Sequence, residues 1–290
     1  MTELATVGVL GFGTMGAGIA QVAAQAGCRV IVLEADDERL ADGRGRAEAF
    51  LAEGVRRGRV TEDDRTATLG RIEGVTDPAA LAGAELVIEA VVEDLGVKLE
   101  LLPRVAEAVG AEAIIATNTS ALAVTTLAAS VPRPERFGGL HFFNPAPLMK
   151  LVEVVVAEQT DEATATALEQ FTERIGKTAV RTRDRPGFLV NRLLMPYLNQ
   201  VAQAYDDGLA SANDIDVSLE LGLGYPMGGL KLLDLIGIDN HLHATSGAYE
   251  DTKAAPFAPP PVLERMVRAG YLGRKSGRGF RVGIEEDGYA

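Results

Sequence analysis

Three histidines occur in the 290 residues, and only one of them, His141, keeps company that could do chemistry. An imidazole titrates close to neutral pH and is the usual acceptor when a hydroxyl proton has to be removed. His141 lies in Gly138-Gly-Leu-His-Phe-Phe-Asn-Pro-Ala-Pro147, where an apolar run of β character gives way to a double-proline turn. Strand ends followed by rigid turns are where α/β proteins place ligands. Further on, Glu153 interrupts the apolar run Leu151-Val-Glu-Val-Val-Val156. A carboxylate buried in such a strand is costly unless it is paired. Pairing with His141 would satisfy the acid and orient the ring. Ser120, in Asn118-Thr-Ser120, follows another apolar run, and Asn191 lies in Gly187-Phe-Leu-Val-Asn-Arg192. Taken singly, Ser120 reads as a helix cap and Asn191 as a hydrogen-bonded polar group. His241 and His243 belong to a polar helical stretch, Asp239-Asn-His-Leu-His-Ala244, and are expected to be solvated.

A second constellation opens the chain. Gly11-Phe-Gly-Thr-Met-Gly16 directly follows the apolar run Thr6-Val-Gly-Val-Leu10 and leads into an Ala-rich helical pattern, Met15 to Gln25. In a strand–turn–helix setting Gly11 permits the tight turn, Gly13 lets the backbone approach a pyrophosphate, and Gly16 allows close helix–strand packing. The first helical turn, with Thr14 and Met15, then offers backbone N–H groups to phosphate oxygens. Glu34 ends the next β run, Arg29-Val-Ile-Val-Leu33, where a carboxylate can accept both ribose hydroxyls and repels a 2′-phosphate. The expected cofactor is NAD rather than NADP.

These residues need a scaffold, and the first half of the chain supplies the pattern of one. Apolar runs at Leu86-Val-Ile-Glu-Ala-Val-Val92 and Ala113-Ile-Ile-Ala-Thr117 alternate with helical patterns near 37–57 and 98–109. That alternation predicts right-handed βαβ units and a parallel sheet covered on both faces. Runs at 137–143 and 150–156 add two strands, followed by a helix near 162–175. Beyond Asp184-Arg-Pro-Gly187 the pattern is helical: Val190 to Gly208, Ala212 to Leu221 and Gly229 to Ile236, with one short strand expected at Gly279-Phe-Arg-Val282. The reading is an α/β protein: a Rossmann-type, doubly wound domain over 1–185 and an all-helical domain over 186–290.

Hydrophobic residues make up 47% of the chain and charged residues 24%, enough to bury a full core. The formal charge of −13 would repel nucleic acid, so no nucleic-acid partner is expected. One cysteine, Cys28, excludes a disulfide framework or a cysteine-built metal site, and it reads as a small hydrophobe under a helix–strand turn. No metal is expected. The N-terminal residues show no signal-peptide pattern, and no apolar stretch is long enough to span a bilayer, so the expectation is a cytoplasmic protein with no membrane partner.

Several blocks, in order, resemble the L-3-hydroxyacyl-CoA dehydrogenase family, nearly end to end. They are Gly11–Gly16, Glu89-Ala-Val-Val-Glu93, Asn118-Thr-Ser120, His141-Phe-Phe-Asn-Pro145, Met149-Lys-Leu-Val-Glu153, Pro186-Gly-Phe-Leu-Val-Asn-Arg192, Gly222-Leu-Gly-Tyr-Pro-Met-Gly228 and Leu272-Gly-Arg-Lys-Ser-Gly-Arg-Gly-Phe280. The resemblance implies an NAD-dependent enzyme acting on an acyl-CoA, with His141 as the base and Glu153 as its partner. It implies that Ser120 hydrogen-bonds the reacting oxygen and that Asn191 helps position the acyl group. Asn118, Glu93 and Lys98 match cofactor-side positions. The family's CoA-contacting region falls where Arg56, Arg57 and Arg59 cluster, which suits the CoA phosphates. A homodimer formed through the helical domain is also implied. The chain departs from the family at Phe12, where a small residue is common, at Gly229 and Lys231, where Pro and an acid are expected, and after Phe280. The rival readings are a dehydrogenase of a free hydroxy or sugar acid, and an NAD-binding sensor that has lost catalysis.

Overall fold

The computed structural model describes residues 4–281, which divide into two compact units between Phe188 and Leu189. The first unit is built on one eight-stranded sheet: β1 Thr6–Leu10, β2 Arg29–Leu33, β3 Ile72–Val75, β4 Leu86–Glu89, β5 Ile114–Thr117, β6 Phe137–Phe142, β7 Leu151–Val156 and β8 Thr178–Arg183. The strand order is β3-β2-β1-β4-β5-β6-β7-β8. All neighbours run parallel except β6 and β7. The order reverses between β1 and β4, which is the switch point where open α/β sheets bind ligands. Six helices join the strands: α1 Thr14–Gln25, α2 Asp37–Arg56, α3 Glu62–Gly70, α4 Leu95–Ala108, α5 Val124–Ala128 and α6 Glu162–Arg174.

Alternation along the central strands sends side chains to two separate cores. Val7, Val9, Val30, Val32, Leu86 and Ile88 pack with Ile19, Ala20 and Ala23 of α1 and with Leu168 and Phe171 of α6. Leu10, Ile31, Leu33, Val87 and Ile115 pack on the other face with Leu102 and Val105 of α4 and Val124 and Leu127 of α5. A two-residue period with both faces apolar is what a sheet covered by helices on both sides requires.

Two strands, β3 and β8, have no counterpart in the sequence reading, and both are sheet edges. Ile72-Glu-Gly-Val75 buries only Ile72, and Thr178-Ala-Val-Arg-Thr-Arg183 buries none of its residues fully. An edge strand is covered on fewer sides, so its residues need not be apolar. The run read as a strand from Leu86 to Val92 stops at Glu89, where the chain turns toward the site.

The second unit holds α7 Val190–Asp206, α8 Ala212–Leu223, α9 Gly229–Ile236, α10 Ile238–Thr252 and α11 Pro261–Arg268. Its core gathers Leu198, Val201, Leu230, Leu233, Ile238, Leu263 and Phe280. Leu193 of α7 is exposed. Gly279 to Arg281 do not form the expected strand, and Val282 lies outside the described residues. The segment is held by the buried carboxylate of Asp234, which accepts from the amides of Phe280 (2.9 Å) and Arg281 (3.0 Å). Gly279 is required there because an added Cβ would sit 1.9 Å from Asp234 Oδ1. Lys231, standing where an acid was expected, pairs with Glu220 of α8 at 3.1 Å.

His241 corrects the expectation of solvation. It is buried, with Nε2 2.9 Å from Asn199 Oδ1, while Asn199 Nδ2 donates to Thr245 Oγ1 at 2.8 Å. Burial pushes its pKa down to about 4. His243, one residue past Leu242, is exposed as expected.

Candidate active site

The loop Gly11–Gly16 joins β1 to α1 at the switch point. Gly11 has φ +90°, and an added Cβ would come 2.8 Å from the Ala90 carbonyl oxygen, so no other residue fits without strain. A Cβ on Gly16 would sit 1.9 Å from the Gly11 oxygen, whereas a Cβ on Gly13 would meet nothing within 4 Å. The second glycine therefore faces open space, as a pyrophosphate would need. The N-terminus of α1 has neither a capping side chain nor an acidic residue in its first turn, which leaves its dipole available to an anion. Glu34, just past β2, takes the Phe12 amide on Oε1 (2.7 Å) and the Ala35 amide on Oε2 (3.0 Å), so its carboxylate is fixed beside the loop. These residues fit the NAD expected from the sequence.

His141 lies near the end of β6 and is 5% exposed, and Glu153 lies in β7 and is 0% exposed. The antiparallel register sets them directly opposite each other, and Nδ1 of His141 is 2.7 Å from Glu153 Oε2. The rings of Phe143 and Phe188 flank the imidazole, with centroids at 4.6 and 5.4 Å. With Nδ1 engaged by the carboxylate, Nε2 is the nitrogen left to exchange a proton with a ligand.

Ser120 is exposed in the loop after β5, and the loop is fastened at three points. Asn118 Oδ1 accepts from the Phe142 amide (2.9 Å), tying the loop to β6 one residue past His141. The Asn118 amide donates to the Glu89 carbonyl (2.8 Å). Glu93 Oε1 accepts from the Ser120 amide (2.9 Å) and from the Thr119 hydroxyl. Burial raises the Glu93 pKa, but the Thr119 hydroxyl, the Lys98 charge and the Ser120 amide outweigh it and hold the carboxyl below its usual range.

Lys98 is not on a surface. It is 1% exposed, with Nζ 2.7 Å from Glu89 Oε1 and 3.1 Å from Glu93 Oε2. Arg56 pairs with Glu53 (Nη2–Oε1 2.6 Å), as does Arg57, so one acid partly neutralises the expected basic cluster, while Arg59 is exposed. Asn191 stands half-buried in the first turn of α7, in the other unit.

Three contributors escaped sequence reasoning. Glu89 and Phe188 lie in the motif blocks but gave no separate signal. Lys177 donates from Nζ to the carbonyls of Ala146 (2.7 Å) and Met149 (2.6 Å), pinning the double-proline turn that follows His141. The same turn rests on α1 at Gly18, where an added Cβ would come within 3.0 Å of Ala146 and Pro147. Among the described residues no group of three or more His, Cys, Asp or Glu side chains could hold a metal, and no helix is long and apolar enough to cross a membrane.

The fold and the loop over α1 define a class: an NAD-binding oxidoreductase with a Rossmann-type domain and a helical partner domain. The models for the 3-hydroxyacyl-CoA dehydrogenase NAD binding domain and C-terminal domain match residues 6–185 and 187–282, and the chain belongs to this family. It is 44% identical to a 3-hydroxybutyryl-CoA dehydrogenase of Mycobacterium tuberculosis, over 94% of this chain and 96% of that protein. It is 42% identical to the mitochondrial hydroxyacyl-coenzyme A dehydrogenase of Sus scrofa, over 94% and 90%. The crystal structure of (S)-3-hydroxybutyryl-CoA dehydrogenase from Ralstonia eutropha superposes with a TM-score of 0.95 at 38% identity, covering 98% of this chain and 100% of that one.

Proposed function

We propose that this chain interconverts a short (S)-3-hydroxyacyl-CoA and its 3-oxoacyl-CoA, with 3-hydroxybutyryl-CoA and acetoacetyl-CoA as the working pair. The observation that carries the reading is the buried His141–Glu153 pair, with His141 near the carboxyl end of β6, the same end of the parallel strands from which the glycine loop leaves β1. His141 Nε2 takes the proton of the 3-hydroxyl. Glu153 holds the ring through Nδ1 and stabilises the imidazolium that forms. Ser120 donates a hydrogen bond to the reacting oxygen, and Asn191 helps hold the acyl group. Gly11, Gly13, Thr14, Met15 and Gly16 cradle the pyrophosphate, Glu34 accepts the adenosine ribose, and Asn118, Glu93 and Lys98 serve the nicotinamide side. NAD, when bound, would supply the hydride acceptor for C3. In the reverse direction the imidazolium returns its proton to the carbonyl oxygen.

CoA contact falls to Arg56 and Arg59. Because Glu53 already engages Arg56, Arg59 carries the larger share of the phosphate attraction. Exposed Leu221, Leu223 and Tyr225 on and beside α8 support a homodimer formed by the helical unit. Acyl-CoA thioesters and NAD are intracellular metabolites, which supports the reading of a cytoplasmic enzyme. Oxidation of NADH followed at 340 nm with acetoacetyl-CoA, beside free acetoacetate and NADPH, tests the reading. Turnover with the thioester and NADH is expected. Turnover only with the free acid would replace it by the hydroxy-acid reading, and NADH binding without any turnover would leave an NAD sensor.

A further inference from the structure

A carboxylate with no exposure at the end of a parallel strand is expensive, and Glu89 is fully buried at the end of β4. It is satisfied from every side. Oε1 accepts from Lys98 Nζ (2.7 Å) and the Val91 amide (2.8 Å), and Oε2 accepts from Thr117 Oγ1 (2.7 Å). Lys98 uses its charge twice, because the same Nζ holds Glu93 Oε2 at 3.1 Å. Glu93 in turn grips the loop after β5 through its other oxygen, at Thr119, at the Ser120 amide (2.9 Å) and at the Ala121 amide (3.3 Å). The chain of contacts runs Glu89, Lys98, Glu93, then the backbone that carries Ser120. Its first member is set by the β4 backbone, and Asn118 fastens the far end to β6 beside His141.

Given the dehydrogenase activity proposed above, on which this rests, we infer that Glu89 and Lys98 are positioning residues that act through Glu93 to fix the Ser120 loop relative to His141. Lys98, enclosed between two carboxylates, orients Glu93 through its charge. A cation in this place serves two ends. It neutralises a buried acid that the sheet cannot solvate, and it forces Glu93 to present its free oxygen to the loop amides. A loop held only by its own short hydrogen bonds would let the Ser120 hydroxyl wander, and misplacement of about 1 Å costs on the order of 100-fold in rate.

The test uses the full-length enzyme carrying Glu89→Gln, Thr119→Val, Lys98→Met and the double variant Glu89→Gln/Lys98→Met. Glu89→Gln keeps the shape of the buried acid, and Thr119→Val removes one of the three bonds by which Glu93 grips the loop, with every buried charge left in place. For each, kcat with acetoacetyl-CoA is measured beside the NADH dissociation constant from fluorescence on binding, and the melting temperature reports folding. Positioning predicts that folded Glu89→Gln and Thr119→Val each lose about tenfold or more in kcat, while NADH affinity changes by less than about threefold. The double variant should lose no more than its worse single, because both cut the same chain of contacts. Unchanged kcat in the two folded single variants would overturn the inference. An inactive wild type would overturn the dehydrogenase reading itself and this inference with it, whereas an active wild type with unaltered variants overturns the inference alone.

Discussion

His141 and Glu153 face each other across the one antiparallel pairing in the sheet, with Nδ1 and Oε2 2.7 Å apart. Antiparallel neighbours in direct register place their side chains on the same face, so the β6–β7 ladder itself sets the distance. A slip of one residue would send Glu153 into the opposite core. His141→Gln should lower kcat by ~10²–10⁴, the usual worth of a general acid–base group, and leave NADH binding intact. Glu153→Gln should lower kcat less, by roughly 10–10²-fold, because the base remains and only its orientation and charge partner are lost. Steady-state rates beside NADH titrations check both, and near-normal turnover of His141→Gln would remove His141 from the mechanism.

Glu34 predicts cofactor choice. Its carboxylate is already bound to the Phe12 and Ala35 amides, so it is pre-set to accept ribose hydroxyls. Glu34→Ala should reduce the preference for NADH over NADPH by about tenfold or more, since hydrogen bonds to a charged group are worth roughly 1.5–3 kcal/mol. The ratio of kcat/KM values for the two cofactors is the measurement. An unaltered ratio would mean that discrimination lies elsewhere.

Phe12 and Gly43 form a second coupled pair. The Phe12 ring is buried against α2, and a Cβ at Gly43 would come 2.2 Å from Phe12 Cγ. Gly43→Ala should push the ring, and with it the loop amide that Glu34 binds. Overpacking of this kind costs about 1–3 kcal/mol of stability, and because Glu34 binds the Phe12 amide, displacement of Phe12 should also lower NADH affinity. Adding Phe12→Ala to the same chain should restore most of it. Failure of that rescue in a folded double variant would show that the two positions act independently.

His241 should give stability a pH dependence of its own. Its folded-state pKa is depressed to about 4 by burial, below the 6.5 of a free imidazole. As pH falls below 6.5 the unfolded chain binds the proton first. Stability is therefore full above about 6.5, declines between 6.5 and 4, and levels off below. The 2.5-unit gap corresponds to about 3 kcal/mol. Urea unfolding of wild type and His241→Gln across this window checks it. The variant should lose that part of the slope, and identical slopes would assign the acid sensitivity to other groups.

Much of this was legible because the signals are local. A glycine loop between a strand and a helix, and an acid at the end of the next strand, are contiguous patterns whose physics works over a few residues. His141 and Glu153 were legible as a pair because a buried carboxylate in an apolar strand demands a partner. The edge strands β3 and β8 were not legible, because partial exposure removes the apolar pattern that marks a buried strand. His241 was misjudged for a related reason: its neighbours in sequence are polar, and its hydrogen-bond partner, Asn199 on α7, lies far away in sequence.

The sequence by itself determined the doubly wound domain, the glycine loop, the acid beside it and the residue types of the acid–base pair, all from hydrophobic period and turn chemistry. Only the tertiary structure decided that Lys98 is enclosed between Glu89 and Glu93, that Glu93 grips the Ser120 loop, and that Lys177 pins the turn after His141. Each of these rests on a contact between residues brought together by the packing of strands and helices. An exposed Lys–Glu pair and an enclosed one are written with the same letters, and only the surrounding packing tells them apart.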